Sequence, residues 1–387
     1  MFEVAGSLND FYSQVQRIPG LEFLLQENVD FEPSDDFYLV QKRRGETLRS
    51  DAPFGGRLYM AMPDLRALRQ ILSLWDPHQA GQQMPSGFAP WGRLFELLID
   101  LRAWGPQDRV LPETLEYRRQ RLESNPTSPI RFELELWFYE QIARRQQAST
   151  KINRQVDAIG GQVISQSEIS VIRYSGMLVD LLPDRVQEML TDPRIGLASV
   201  DGIMYLHPQS IASFPSTDDS GDIDAVGDVT GMPGSPGEPI AALLDGVPVE
   251  NHLFLRNRLT IDDPDDFASR APLNSREHGT SMASLILHGD LQSTEQPLSR
   301  SLIVRPVMVY DANTQSETTP PDKLPLDIIY QAVRRLLEGD AFAPATAPTV
   351  AIINLSLGDL NRPYAGRISP WLDSLTGSLI VSGCFFL

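Results

Sequence analysis

From Pro239 onward the chain alternates short apolar runs with amphipathic stretches, and few folds accommodate that order. "PIAALLD", "SLIVRPVMVY", "PTVAIINLSLG" and "SLIVSG" are continuous apolar runs suited to strands buried on both faces. Between them, a helix opens near His278, "LPLDIIYQAVRRLLEG" has helical spacing closed by Gly339, and "SPWLDSLTG" is a short helix. Strands alternating with helices predict a parallel sheet covered on both sides. In such sheets function collects at the carboxyl ends of strands. Asp245 and the segment Ser356, Leu357, Gly358 fall at two of those ends.

The preceding residues read differently. "IRFELELWF" alternates strictly, with Ile130, Phe132, Leu134, Leu136 and Phe138 on one face and Arg131, Glu133 and Glu135 on the other. A helix over 140–159 ends at Gly160-Gly161. "QVISQSEISVIRY" is a strand, Ser175-Gly176 a turn, and "MLVDLL" another strand. "PDRVQEMLTDP" is a helix and "IGLASVDGIMYLHP" a fourth strand. The order β-α-β-β-α-β predicts a ferredoxin-like module over 128–207.

Residues 208–238 are rich in Pro, Gly, Ser and Asp and predict a flexible acidic linker. Its aspartates lack the spacing of a calcium loop. Residues 1–125 predict an accessory α/β domain. It contains a strand followed by a helix carrying Leu65, Leu68, Ile71, Leu72 and Trp75, and a second helix over "WGRLFELLIDLRAW".

The fold class expected is therefore α/β: an accessory domain at 1–125, the module at 128–207, a linker at 208–238 and a parallel-sheet domain at 239–387. The net charge of -18 and a pI near 4.7 argue against nucleic acid and anionic membranes as partners, because phosphates repel an acidic body. No apolar run approaches the roughly 18 residues of a membrane span, and the N-terminus lacks a basic segment followed by an apolar one. With Cys384 the single cysteine, no internal disulfide forms. A cytoplasmic protein without cofactor or metal is the expectation.

The chemistry centres on "REHGTSMASLILHGD". Asp245 ends an apolar strand and His278 stands 33 residues later, before Gly279. A buried carboxylate that orients an imidazole is what a serine hydroxyl needs to become nucleophilic. "IAALLDGVPVENH", "EHGTSMASLILHG" and "VAIINLSLG" resemble, in order, the aspartate, histidine and substrate-strand segments of the subtilisin-like serine peptidases, over 239 to about 383. That family carries D-S-G or D-T-G where this chain has Asp245-Gly246 directly.

The resemblance implies that Asp245 orients, that His278 acts as general base, and that the backbone of Ser356–Gly358 pairs with an extended peptide or protein substrate. It also implies that the ferredoxin-like module matches a propeptide in topology and position.

"GTSMAS" spells the family's nucleophile segment, which would make Ser281 the attacking serine. Leu285 stands where proline is usual, and no H-G-T segment precedes it. Chain order therefore assigns His278 as base and Ser281 to the first helical turn.

No second G-T-S-x-A follows, and no oxyanion asparagine follows Gly383 in "VSGCFFL". The expectation is a C-terminally truncated family member without peptidase activity of its own. Two alternatives stand beside it: a non-catalytic peptide-binding or regulatory protein, and half of a split enzyme whose serine lies on a second polypeptide. Cys384 has no visible activating neighbour, His288 lacks the i,i+4 spacing of a helical metal pair, and Asn354 precedes the substrate strand and is assigned a structural role.

Overall fold

The computed structural model describes residues 1–4, 22–31, 39–43, 46–50, 54–61, 65–359 and 385–386, apart from 87, 97, 193, 195, 210, 214–236, 292–296, 313–314 and 340–342. The expected helix "SPWLDSLTG", the expected strand "SLIVSG", Cys384 and the linker aspartates lie outside the described residues. The chain is of the α/β class, with one parallel sheet and several antiparallel ones. It divides into two compact units, the first built from Met1–Arg109, Trp137–Ile152 and Ser199–Gly202, the second from the remainder.

In the first unit, strands β1 (Phe2–Val4), β2 (Glu22–Phe31), β5 (Phe54–Ala61) and β6 (Leu98–Leu101) form an antiparallel sheet in the order β2-β5-β1-β6. A separate hairpin pairs β3 (Leu39–Arg43) with β4 (Glu46–Ser50). Helices α1 (Leu65–Gln79) and α2 (Ala89–Glu96) contribute Ile71, Leu74, Trp91 and Phe95 to the core. Trp75 meets the Phe95 ring edge-on at 5.1 Å. The continuous second helix expected over "WGRLFELLIDLRAW" is instead α2 followed by β6. Leu98–Leu101 joins the sheet beside β1, so tertiary pairing overrides its helical periodicity.

The second unit begins with helix α4 (Pro112–Ser124), which follows the short α3 (Pro106–Arg109) of the first unit. It continues β7 (Ile130–Leu136), α5 (Ile142–Ala158, which spans both units), β8 (Gln162–Ile169), β9 (Tyr174–Leu181), α6 (Pro183–Thr191) and β10 (Ile203–Pro208). The four strands form an antiparallel sheet in the order β10-β7-β9-β8.

The structure departs from three local expectations. Ser175-Gly176 is not a turn but lies inside β9; the reversal falls at 170–173, where Arg173 takes φ 54°. The strand expected over "IGLASVDGIMYLHP" begins only at Ile203, after a 3-10 turn at Gly196–Ser199. Glu133 and Glu135, expected on a solvated face, are buried. The Tyr174 hydroxyl donates to Glu133 at 2.9 Å, and His207 Nε2 lies 2.7 Å from Glu135. Cross-strand polar partners make that burial tolerable.

The remainder of the second unit carries a parallel sheet in the order β13-β14-β12-β17-β19. Its strands are β12 (Ala241–Asp245), β13 (Leu259–Ile261), β14 (Leu302–Pro306), β17 (Ile352–Asn354) and β19 (Phe385–Phe386). After the short helix α7 (Phe267–Arg270), the longer helices α8 (Glu277–His288) and α9 (Pro325–Leu337) cover opposite faces.

Side chains of β12 alternate between them. Ala241 and Leu243 pack with Ala283 and Leu287 of α8, while Ala242 and Leu244 pack with Ile329, Ala332 and Leu336 of α9. A strand covered twice has no face left for polar residues, hence the unbroken run "AALL". Each fully buried leucine in it contributes about 1.5–3 kcal/mol. Ile169 and Tyr174 of the antiparallel module join the α9 core, and Ser167 Oγ donates to Asp327 at 2.7 Å.

A small antiparallel sheet completes the unit in the order β15-β16-β11-β18. It joins β15 (Val309–Asp311), β16 (Ser316–Thr318), β11 (Ala212–Ser213) and β18 (Gly358–Asp359). β11 lies in the expected linker, so the first residues of 208–238 are paired strand rather than free connection. Among the described residues no helix is long and apolar enough to cross a membrane.

Candidate active site

Asp245 is the last residue of β12, the middle strand of the parallel sheet, and its side chain is 0% exposed. His278 opens the second position of α8, and its Nδ1 lies 3.0 Å from Asp245 Oδ1. The same oxygen accepts the Gly246 amide at 2.6 Å. With the carboxylate ionised, Nδ1 carries the proton and the imidazole is held in one tautomer. Burial raises the Asp245 carboxyl above the usual carboxylate range, opposed by the hydrogen bonds from His278 and Gly246.

The start of α8 is fixed from two sides. Thr280 Oγ1 accepts the Val249 amide at 2.9 Å and donates to the Arg276 carbonyl, tying the first turn to the loop after Asp245. Gly279 lies where a Cβ would stand 2.5 Å from the Gly246 carbonyl oxygen and 2.9 Å from its carbon. Helix and Asp-Gly turn approach too closely there for any side chain. Gly279→Ala must push the helix off the turn, because the obstacle is backbone. The expected result is a loss of about 1–3 kcal/mol of unfolding free energy in urea titration, with the His278 ring resonances displaced. An unchanged midpoint would mean that the approach is looser.

Ser281 stands one turn along α8, exposed to solvent, while the half-buried His278 bonds to the buried Asp245. His288, at the far end of α8, is buried and bonded through Nε2 to the Phe254 carbonyl at 2.8 Å, a structural role. Ser356, Leu357 and Gly358 follow β17, whose register places Asn354 beside Leu243, so the segment leaves the same sheet edge as Asp245. Ser356 Oγ donates to Asn354 Oδ1 at 2.9 Å. Leu357 packs on the α9 core, and Gly358 enters β18.

Gly358 and Asp359 pair antiparallel with Ser213 and Ala212, while Thr318 of β16 pairs with Ser213 on the other side. A short stretch of the chain thus lies as a strand between β16 and β18.

Glu317 was not anticipated from the sequence. It lies in β16, is 4% exposed, and turns its carboxyl onto the α-carbon of Gly246, where any side chain on that residue would collide with it. The signal available was the Asp-Gly dipeptide, which lacks the hydroxyl residue that follows the aspartate in the family resembled. Burial, reinforced by the negative charge of Asp245, raises the Glu317 carboxyl to about 7.

Among the described residues no group of three His, Cys, Asp or Glu side chains is arranged to hold a metal ion. Compared with known proteins, the chain matches no protein-family model and no curated protein.

Proposed function

We propose that this chain carries the aspartate–histidine half and the substrate-binding strand of a subtilisin-like serine endopeptidase, preceded by a ferredoxin-like module of propeptide type. The observation that carries this reading is the hydrogen bond from His278 to a fully buried Asp245 at the carboxyl end of the middle parallel strand. A carboxylate in that position fixes the imidazole tautomer and stabilises the imidazolium formed when a hydroxyl is deprotonated. In the proposed reaction His278 takes the proton of a serine, the serine oxygen attacks the peptide carbonyl, and the leaving amine recovers the proton. An extended peptide is held through the backbone of Ser356–Gly358 by strand addition.

The nucleophile in this reading is not Ser281, and none of the described residues is assigned that role. In the split-enzyme alternative the serine lies on a second polypeptide. Mixing the protein with a segment of the form G-T-S-x-A-x-P is expected to produce labelling of that serine by a fluorophosphonate and hydrolysis of an unstructured protein substrate. Absence of both, with peptide binding intact, would replace this reading by the second one.

That second reading is a non-catalytic peptide-binding or regulatory protein. The strand Ala212–Ser213 held between β16 and β18 favours it, since the site accommodates extended backbone without any chemistry. Peptide binding that survives His278→Ala marks this class.

A further inference from the structure

Three buried carboxylate oxygens crowd around Gly246: Asp245 Oδ2, Glu317 Oε1 and Glu317 Oε2. None of them reaches a hydrogen-bond partner of ordinary geometry among the described residues. A buried carboxylate without a donor, next to the charge of a second one, holds its proton to higher pH than an exposed one. Gly246 makes the approach possible, because any Cβ there would stand inside the Glu317 carboxyl.

The groups facing Glu317 are Asp245 from β12, Arg276 from the turn before α8, and the Val247 amide, which offers only partial counter-stabilisation. Its cross-strand neighbour on β15 is Tyr310. On the other side of Asp245, His278 holds Oδ1.

We propose that Glu317 is a positioning residue for the Asp245–His278 pair: its carboxyl fills the slot of the missing side chain at 246, and the proton it holds sets the charge that stands beside Asp245. With that proton bound, the pair behind His278 carries a single negative charge. When it leaves to solvent, a second charge appears beside Asp245, and the Nδ1–H···Oδ1 hydrogen bond strengthens. The raised carboxyl of Glu317, at about 7, places that change near neutral pH. The inference rests on Asp245 and His278 being the acid–base centre proposed above. Its test does not depend on cleavage, so the two can fail separately.

The experiment is nuclear magnetic resonance on the full chain with labelled glutamate side chains and histidine rings. The Glu317 carboxyl carbon is expected to titrate with a midpoint near 7, against the ordinary 4.5. In Asp245→Asn that midpoint falls, because the like charge is gone, while burial keeps it above the ordinary value. The His278 Nδ1 proton resonance should differ between the parent and the near-isosteric Glu317→Gln at pH values above the Glu317 midpoint and coincide below it. Unchanged resonances of His78, His207 and His288 would certify the fold. A Glu317 midpoint in the ordinary carboxylate range, or a His278 resonance that is the same in the parent and Glu317→Gln above the Glu317 midpoint, overturns the proposal.

Discussion

Asp245→Asn is expected to lower kcat by about 10⁴-fold in the peptidase reconstituted with a serine-bearing segment, while raising the stability of the fold at neutral pH. The loss follows from tautomer control. An asparagine amide turned toward Nδ1 favours the imidazole form whose proton sits on the wrong nitrogen, and the base is then unavailable to the serine. His278→Ala should cost more, on the order of 10⁶-fold, since base and acid disappear together.

The stability gain follows from burial. Folding raises the Asp245 carboxyl, chiefly by desolvation, so the native state binds that proton more tightly than the unfolded chain. Stability therefore falls as pH rises from the ordinary carboxylate range through the raised value, and the asparagine variant escapes that loss. Paired kcat and urea-midpoint measurements check both signs. Parallel loss of activity and stability would indicate that Asp245 is structural rather than poised for chemistry.

Arg118→Met is expected to stabilise the second unit by about 1–4 kcal/mol. Arg118 lies on α4, is 0% exposed, and its Nε, Nη1 and Nη2 are all buried without hydrogen-bond partners among the described residues. Its compensation is the face of Phe132, 5.2 Å from the guanidinium carbon, worth about 2 kcal/mol when desolvated. Burial lowers the guanidinium to about 10. The native state thus holds this proton less tightly than the unfolded chain, and the penalty is full at neutral pH and recedes as pH rises past 10. The advantage of methionine should shrink over the same range in urea titrations of both proteins. Destabilisation by Arg118→Met would mean that the guanidinium has a partner worth more than its desolvation.

The helices and apolar strands of the second unit were legible because their periodicities are strong. Pro325 to Leu337 carries a clean apolar stripe, and "AALLD" has no polar residue before its aspartate. The spacing of Asp245 and His278 was legible for the same reason, as each stands at the edge of such an element. What was not legible depended on pairing at a distance. Leu98–Leu101 reads as helix until β1 offers it a partner, and Glu133 and Glu135 read as solvated until Tyr174 and His207 meet them. Ser316–Thr318 is too short and polar to announce a strand, so Glu317 stayed hidden although Gly246 already marked its place.

The strand Ala212–Ser213 has a kinetic consequence. It follows β10 after only residues 209–211, so it reaches its position between β16 and β18 as an intramolecular ligand. A short tether of this kind sets an effective concentration on the order of millimolar. In the proposed peptide-binding reading, a free peptide competes against that standing occupant, and its apparent dissociation constant is its intrinsic one divided by the fraction of molecules in which the strand has lifted away. Selectivity for incoming chains is then set by how well each displaces two residues of the protein's own backbone, and cutting the tether should raise every apparent affinity by the same factor.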